Sequence, residues 1–501
     1  MKIITTETMK NAEALSVQAG TTYFRLMENA GTAAANFIKE TVPPVGLTAA
    51  ILCGSGNNGG DGFVIARKLF EMGAKPFIVL ACGEPKTEDA AKMRALLPEG
   101  ITVYDAEKFS ATALRMLSSA DIIVDAIFGT GLTREPEGFA AEAIKTANAT
   151  TAKRFAVDVP SGAFSDSGRV SSVCFNADYT VTFEAMKPCH ILPPANGFCG
   201  KVTAVSIGIS ADIINSLPAE AETIIGAVKR RRSKNDHKGS FGTALSVAGS
   251  CGMSGASILL SNAALRSGVG IMKTAVIPEN YTALAVSVPE SVLVPCDSRD
   301  GKYSDGSLPK LKEELGKATA LAIGSGLGVN EDTTKIVREL LLEARVPIVL
   351  DADGINAIAS DIEFIEQMKA DLILTPHPGE MARLCGITAA EVEADRIGIA
   401  RRFATLKGVY LILKGANTLV ATPDGRVFAN LTGNVGLATG GSGDTLTGIL
   451  VSLLAQGIPT EAAATSAVWL HGAAADRARD RVGETSMLPR DIIEELPNLF
   501  K

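Results

Sequence analysis

The chain has 501 residues, of which 46% are hydrophobic and 21% charged, with a formal net charge of −7. That is too apolar for a disordered chain and too acidic for a protein that lives on nucleic-acid backbones. At about 150 residues per domain the length predicts two or three domains. Eight cysteines lie scattered with no C-x-x-C pair, and there are only four histidines. These counts argue for reduced thiols in a cytoplasmic setting and against a zinc site.

The N-terminal MKIITTETMKNAEAL has no apolar stretch of the kind a secretory signal carries. Helices are predicted at Thr5–Ala19 and Tyr23–Thr41. Strands follow at Ala49–Cys53, Phe77–Cys82, Ile122–Ile127, Arg154–Val159, Tyr179–Phe183 and Val202–Ser206, with helices between them at Asp61–Met72, Thr87–Leu97 and Gly138–Asn148. Strands alternating with helices predict a parallel sheet covered on both faces. Residues 211–235 change character and end in Lys229-Arg230-Arg231-Arg232, read as a linker or domain edge rather than an anion site.

A second α/β series is predicted from Thr243–Ala248, Ile271–Val276, Ala320–Ile323, Pro347–Asp351, Asp371–Thr375, Tyr410–Lys414 and Thr418–Ala421, closing with apolar helices at Thr445–Gln456 and Ala462–Ala478. Gly239–Leu265 lacks charge over a length that spans a bilayer, but its Gly, Ser and Asn262 mark it as buried interior, so no membrane partner is expected. The expected fold class is α/β with two domains, 1–215 and 225–501, each a three-layer αβα arrangement.

Gly54-Ser55-Gly56-Asn57-Asn58-Gly59 follows a strand and precedes a helix, in the G-x-G-x-x-G pattern of a dinucleotide site. Gly60, Asp61 and Gly62 extend the run. Its glycines let backbone amides face a phosphate, with Asn57 and Asn58 adding side-chain amides. Two more strands end in polar loops, at Asp125 and at Asp158–Ser161. Strand C-termini of an open parallel sheet border one crevice, so Asn58, Asp125, Asp158 and Ser161 are expected to meet there. Their oxygens suit a hard cation; alternatively one aspartate is an acid or base.

MENAG (27–31), GSGNNGGDGFVIARKL (54–69), VDAIFGTGL (124–132) and AVDVPSG (156–162) resemble the NAD(P)HX epimerase family, also called the YjeF N-terminal domain. That family interconverts the R and S epimers of hydrated nicotinamide cofactors on a Rossmann-like fold. The resemblance implies a potassium ion held by Asn58, Asp125 and Ser161. Substrate contacts are implied at Asn57, Asn58, Gly59, Gly60 and Asp61, at Gly129, Thr130, Gly131, Leu132, Thr133, Arg134 and Glu135, and at Asp158, which also has an implied catalytic role. The chain departs from the family at TFEAMKPCH (182–190), where members carry a glycine-containing TFG-x-PK run.

In the second half, Gly440-Gly441-Ser442-Gly443-Asp444 opens an apolar helix. Glycine amides at a helix start form an anion hole, and a carboxylate beside it can take a proton from a hydroxyl. Four further strand-end loops carry glycine or charge: Gly324–Gly328, Asp351–Gly354, His377–Glu380 and Lys414–Thr418. No Walker A sequence is present. Glu380 is a candidate to act on Mg²⁺, directly or through water.

HKGSFGTALSVAGSCGMSGASILLSNAALRSGVG (237–270), LDADGINAI (350–358), TPHPGE, LKGANT and GGSGD resemble, in that order, the nucleotide-dependent NAD(P)HX dehydratases of the ribokinase-like superfamily. The resemblance implies substrate contacts at Ala256, Gly326, His377 and Asp444, nucleotide contacts at Lys414, Gly415, Ala416, Asn417, Thr418 and Gly443, and Asp444 as base. It further implies NADHX and NADPHX as substrates and ADP as co-substrate; a homo-oligomer is expected. The competing expectation is a ribokinase-like kinase for a vitamin precursor, fused to a dinucleotide-binding domain.

Overall fold

Apolar runs of four to six residues, rich in Val, Ile, Leu and Ala, form the sheets of the computed structural model, which describes residues 1–106 and 108–501 in full. The chain divides into two compact units, Met1–Glu220 and Ala221–Lys501. In the first, seven strands lie in the order Thr102–Asp105, Lys75–Leu80, Thr48–Cys53, Ile122–Ala126, Lys153–Val157, Tyr179–Phe183, Lys201–Val205, with every neighbouring pair parallel. Strand order reverses between Thr48–Cys53 and Ile122–Ala126, the place where an open sheet leaves a crevice at its carboxyl edge.

Alternation along each strand splits the core in two. Ile51 and Val124 join Phe63, Val64 and Ile65 of the helix Asn57–Glu71 on one face. Leu52 and Ile123 join Ala113, Leu117, Ala140 and Ile144 on the other. The first helices run Thr6–Gln18 and Tyr23–Thr41. A strand at Thr102–Asp105 and a helix at Ala106–Ser118 add an α/β pair that the sequence pattern leaves undetected.

In the second unit the strands run in the order Ala221–Ile224, Val427–Asn430, Leu419–Ala421, Tyr410–Leu413, Leu372–Leu374, Ile348–Leu350, Ala320–Ile323, Thr243–Val247, Ile271–Val276, Val292–Pro295. Leu419–Ala421 is antiparallel to both neighbours, and the other pairs are parallel. Ala221–Ile224, which the sequence reading leaves between its two domains, belongs to this sheet. The uncharged stretch 239–265 supplies Thr243–Val247 and most of the helix Ser254–Arg266, whose Leu260, Ala263 and Ala264 are buried against Ile449 and Leu453 of the helix Ser442–Ala455. No helix among the described residues is long and apolar enough to cross a membrane.

The basic cluster has a structural use. Lys229 Nζ donates to Leu499 O, Arg230 Nη1 to Gln456 O at 2.7 Å, and Arg232 Nη2 to Gly268 O at 2.9 Å. These carbonyls end or follow the helices Pro489–Leu499, Ser442–Ala455 and Ser254–Arg266, where unpaired carbonyls concentrate negative charge. Arg230 and Arg232 also lie 5.0 and 4.3 Å from the ring centre of Phe241.

Candidate functional sites

In the first unit the helix begins at Asn57, earlier than its composition suggests, so Gly59, Gly60 and Asp61 lie within its opening turns rather than in a loop before it. Gly54 and Gly59 are needed there. A Cβ on Gly54 would meet Ile127 O at 1.9 Å, and one on Gly59 would meet Gly54 O at 2.0 Å. Asn57 is exposed and Asn58 half-buried. The Asn58 side chain lies against Gly129, and its Nδ2 is buried without a hydrogen-bond partner among the described residues.

Asp125 ends the neighbouring strand with no solvent exposure. Its Oδ1 accepts from Ser161 Oγ at 2.6 Å and Ile127 N at 3.2 Å, and its Oδ2 accepts from Ser161 N at 2.7 Å. Ser161 Oγ in turn accepts from Phe128 N at 2.8 Å. Burial pushes the Asp125 carboxyl up to about 6, the hydrogen bonds from Ser161 and Ile127 opposing the rise. Asn58, Asp125 and Ser161 thus converge on the 125–129 loop. Thr130 is half-buried and Leu132 N bonds Gly129 O at 3.3 Å, while Gly131, Thr133, Arg134 and Glu135 lie exposed.

Asp158 sits at the next strand end with φ +63°, a strained conformation for a non-glycine residue. Its Oδ1 accepts from Lys187 Nζ at 2.5 Å and Thr182 Oγ1 at 2.8 Å. Burial alone would raise the Asp158 pKa, but the Lys187 charge and these bonds outweigh it and hold the carboxyl below its ordinary value. Lys187 Nζ also donates to Thr182 Oγ1 and Phe183 O. His190 completes the lock: Nε2 bonds Asp158 O at 2.9 Å and Nδ1 accepts from Lys187 N at 3.0 Å, while burial and the lysine charge lower its pKa to about 4. Asp61 shifts the opposite way, raised well above the usual range by burial and by the Asp158 and Glu13 charges. The site therefore holds two carboxyl groups whose environments push their pKa values in opposite directions.

The departure at 182–190 is accommodated locally. Glu184 takes φ +56°, the conformation a glycine adopts freely. Its Oε1 compensates by accepting from the amides of Ile207, Gly208 and Ile209 at 2.7–3.0 Å and from Ser206 Oγ at 2.9 Å.

In the second unit Gly441 (φ +94°) turns the chain into the helix Ser442–Ala455, with Asp444 in its first turn. Burial, then the Asp351 charge, raises the Asp444 carboxyl to about 6, opposed by a hydrogen bond from Ser325 and by Lys414. Asp351 is almost wholly buried. It accepts from Thr375 Oγ1 at 2.6 Å, Lys414 Nζ at 2.9 Å, Thr447 Oγ1 at 3.1 Å and Ser325 Oγ at 3.2 Å. Burial opposes its ionisation, but Lys414 and the hydroxyl donors hold its pKa below the ordinary value. A Cβ on Gly443 would lie 3.5 Å from Lys414 Nζ and 3.9 Å from Asp351 Oδ2, so these groups share one pocket wall.

Lys414, expected to serve a nucleotide phosphate, is committed first to Asp351 and lies 3.9 Å from Glu380 Oε2. His377 is exposed. Its Nδ1 accepts from Gly379 N at 3.0 Å and caps the helix Pro378–Cys385, while Glu380 Oε2 accepts from His377 N at 2.9 Å. Gly326 (φ +60°) and Ala256 lie together, a Cβ on the former reaching the Ala256 methyl at 2.9 Å. Gly415 and Ala416 are exposed, Asn417 and Thr418 half-buried. Lys187, His190, Arg396 and His471 were not singled out as site residues in the sequence. Lys187 and His190 lie in the 182–190 run, whose departure from the family pattern was the available signal; Arg396 and His471, the latter 3.3 Å from Ser442 Oγ, reach the second site across long chain separations with no local motif to mark them.

Comparison with known proteins finds relatives of both units. The family model described as NAD(P)H-hydrate dehydratase matches residues 244–498, and the one described as YjeF-related protein N-terminus matches residues 24–189. The chain is 37% identical to the bifunctional NAD(P)H-hydrate repair enzyme Nnr of Moorella thermoacetica, over 95% of this chain and 92% of the relative. It is 33% identical to the Escherichia coli protein of the same name, over 96% and 90%. A solved structure of the ADP/ATP-dependent NAD(P)H-hydrate dehydratase from Bacillus subtilis, co-crystallized with ATP/Mg²⁺, aligns at 33% identity and TM-score 0.48, over 54% of this chain and 92% of that one. Full-length relatives at 33–37% identity, with one family model for each unit, show that the chain belongs to the family of bifunctional NAD(P)H-hydrate repair enzymes.

Proposed function

We propose that the first unit interconverts the R and S epimers of hydrated NADH and NADPH, and that the second dehydrates the S epimer at the expense of ADP, giving AMP and phosphate. The observation that carries this reading is Asp444: a largely buried carboxyl titrating near 6, at the start of a helix whose glycine amides can hold a phosphate. Asp444 takes the proton of the C6 hydroxyl as its oxygen attacks the terminal phosphate. AMP departs as the C6 phosphate ester forms; the C6–O bond then breaks with the help of the ring nitrogen's lone pair, releasing phosphate, and loss of the C5 proton restores the double bond.

In this reading Gly443 and Lys414–Thr418 bind the nucleotide, and Ala256, Gly326 and His377 line the hydrated ring. Magnesium fits a site where Glu380 lies near Lys414, because Mg²⁺ is commonly carried by phosphates and water with few protein ligands. In the first unit the orphaned Asn58 amide and the buried Asp125 carboxylate, which has only neutral donors, suit potassium completed by Ser161. Such an ion would orient the substrate phosphate among oxygen dipoles. Asp158, with its pKa lowered, and Asp61, with its pKa raised, are the base and acid candidates for exchange at C6; Asn57–Gly60 and Gly129–Glu135 line the substrate. We place the enzyme in the cytoplasm, as a homo-oligomer.

The test is incubation with the hydrate of NADH and ADP while following the absorbance of regenerated NADH. Regeneration from a mixture of both epimers, beyond the S fraction, supports both activities. Accumulation of a stable phosphate ester would instead favour a vitamin-type kinase.

A further inference from the structure

Arg396 is the largest side chain wholly removed from solvent, at 1% exposure, and no step of the proposed chemistry uses it. It opens the helix Arg396–Lys407 and lies beneath the loop that follows the strand Tyr410–Leu413. Its carboxylate partner, Glu393 at 3.1 Å, is 41% exposed, so the cation is far more buried than the charge that balances it. A buried charge must be met by other polar groups. Here they are backbone carbonyls: Nη2 donates to Lys414 O at 3.2 Å and to Leu413 O at 3.4 Å, while Nε has no partner among the described residues.

The next carbonyl, Gly415 O, accepts from Thr418 Oγ1 at 3.1 Å. The carbonyls of Leu413 and Lys414 are thus engaged by the buried guanidinium and that of Gly415 by Thr418. The amides of Gly415 and Ala416 have no acceptor among the described residues, and both residues are exposed. Unpaired successive amides over a buried cation form a concavity suited to an anion. Gly415 is required by the same contact: its φ is +144°, and a Cβ would lie 2.7 and 2.8 Å from the two terminal guanidinium nitrogens.

We infer that Arg396 is a positioning residue for the ADP phosphates: it holds the carbonyls of Leu413 and Lys414 inward, so that the 415–416 amides face the nucleotide. The inference rests on the reading that Lys414–Thr418 bind ADP. Lysine keeps the charge but concentrates it on one ammonium without the planar fork of the guanidinium, so it should restore only part of the effect.

The test is ADP binding by calorimetry without hydrate, together with KM and kcat for dehydration, on full-length Arg396→Met, Arg396→Lys and Asn417→Ala. Expected for Arg396→Met is a weakening of ADP binding by about 10- to 100-fold, the size of a lost hydrogen bond to a charged group. KM for ADP should rise in parallel, kcat at saturating ADP should hold within about 3-fold, and Arg396→Lys should fall between. If Arg396→Met does not fold, Arg396→Lys decides, with raised KM for ADP and an unchanged kcat as the supporting result. Unchanged ADP affinity in the folded Arg396 variants, or a loss confined to kcat, overturns the inference. Should Asn417→Ala weaken ADP binding in that case, the nucleotide loop stands and only the role of Arg396 falls. If neither position affects ADP, the loop assignment itself falls.

Discussion

The ammonium of Lys187, with no exposed surface, sits 2.5 Å from Asp158 Oδ1. All three of its protons are spoken for, by Asp158, Thr182 Oγ1 and Phe183 O. Lys187 is therefore built to hold the aspartate ionised and aimed, not to deliver a proton itself. Lys187→Met should move the acid limb of the epimerase pH profile upward, because Asp158 loses the charge that depresses its pKa. The same pair stabilises the fold above the unfolded aspartate pKa, and that contribution fades as pH falls through the lower folded value. Removing one partner of a buried pair costs about 3–5 kcal/mol, readable by denaturant unfolding of the first unit.

Asp444→Asn should reduce dehydration by about 10²–10⁴-fold and leave epimerisation intact. In the unaltered enzyme the base form is the active one, so dehydration should rise with pH through about 6 and level off above it. Rates measured on pure S hydrate with excess ADP check both. A variant retaining more than about a tenth of the rate would remove Asp444 as base.

Replacing potassium with tetramethylammonium should weaken epimerisation or substrate binding and spare the nucleotide-dependent step. Asp125→Ala should mimic that loss. Equal epimerase rates in both salts would leave Asp125 as an acid or base candidate, with its pKa near 6.

Asp158→Asn should slow exchange between epimers and leave dehydration of S hydrate unchanged. The measurement is consumption of R hydrate with dehydratase in excess. Wild-type consumption would exclude Asp158 from the exchange chemistry.

Glu184 offers a stability test of a substitution away from the family pattern. Glu184→Ala keeps the positive φ and loses every bond to the 206–209 loop, whereas Glu184→Gly loses the bonds but relieves the backbone. Alanine should therefore be the more destabilising, by about 1 kcal/mol relative to glycine, in a comparison of melting curves.

The glycine-rich helix starts, the strand-end aspartates and the two α/β series were legible because each is a local pattern. Helix onset at Asn57 was not, since Asn and Gly are weak helix formers and tertiary packing overrides that preference. The strands Thr102–Asp105 and Ala221–Ile224 are four residues long and only partly buried, too short for a periodic signal. Contacts such as Asp351 with Lys414 and Arg396 with the carbonyls beyond Leu413 depend on elements that meet only after folding.

The three cations that close the helix ends at Leu499, Gln456 and Gly268 bear on how the second unit can be produced alone. A fragment starting at Ser233 would look complete by motif, since every glycine signature of that half lies downstream. It would lack the outer strand Ala221–Ile224 beside Val427–Asn430 and leave three helix termini with uncompensated carbonyls. An expression fragment starting at Ala221 keeps both, and should be the more soluble and the more resistant to proteolysis.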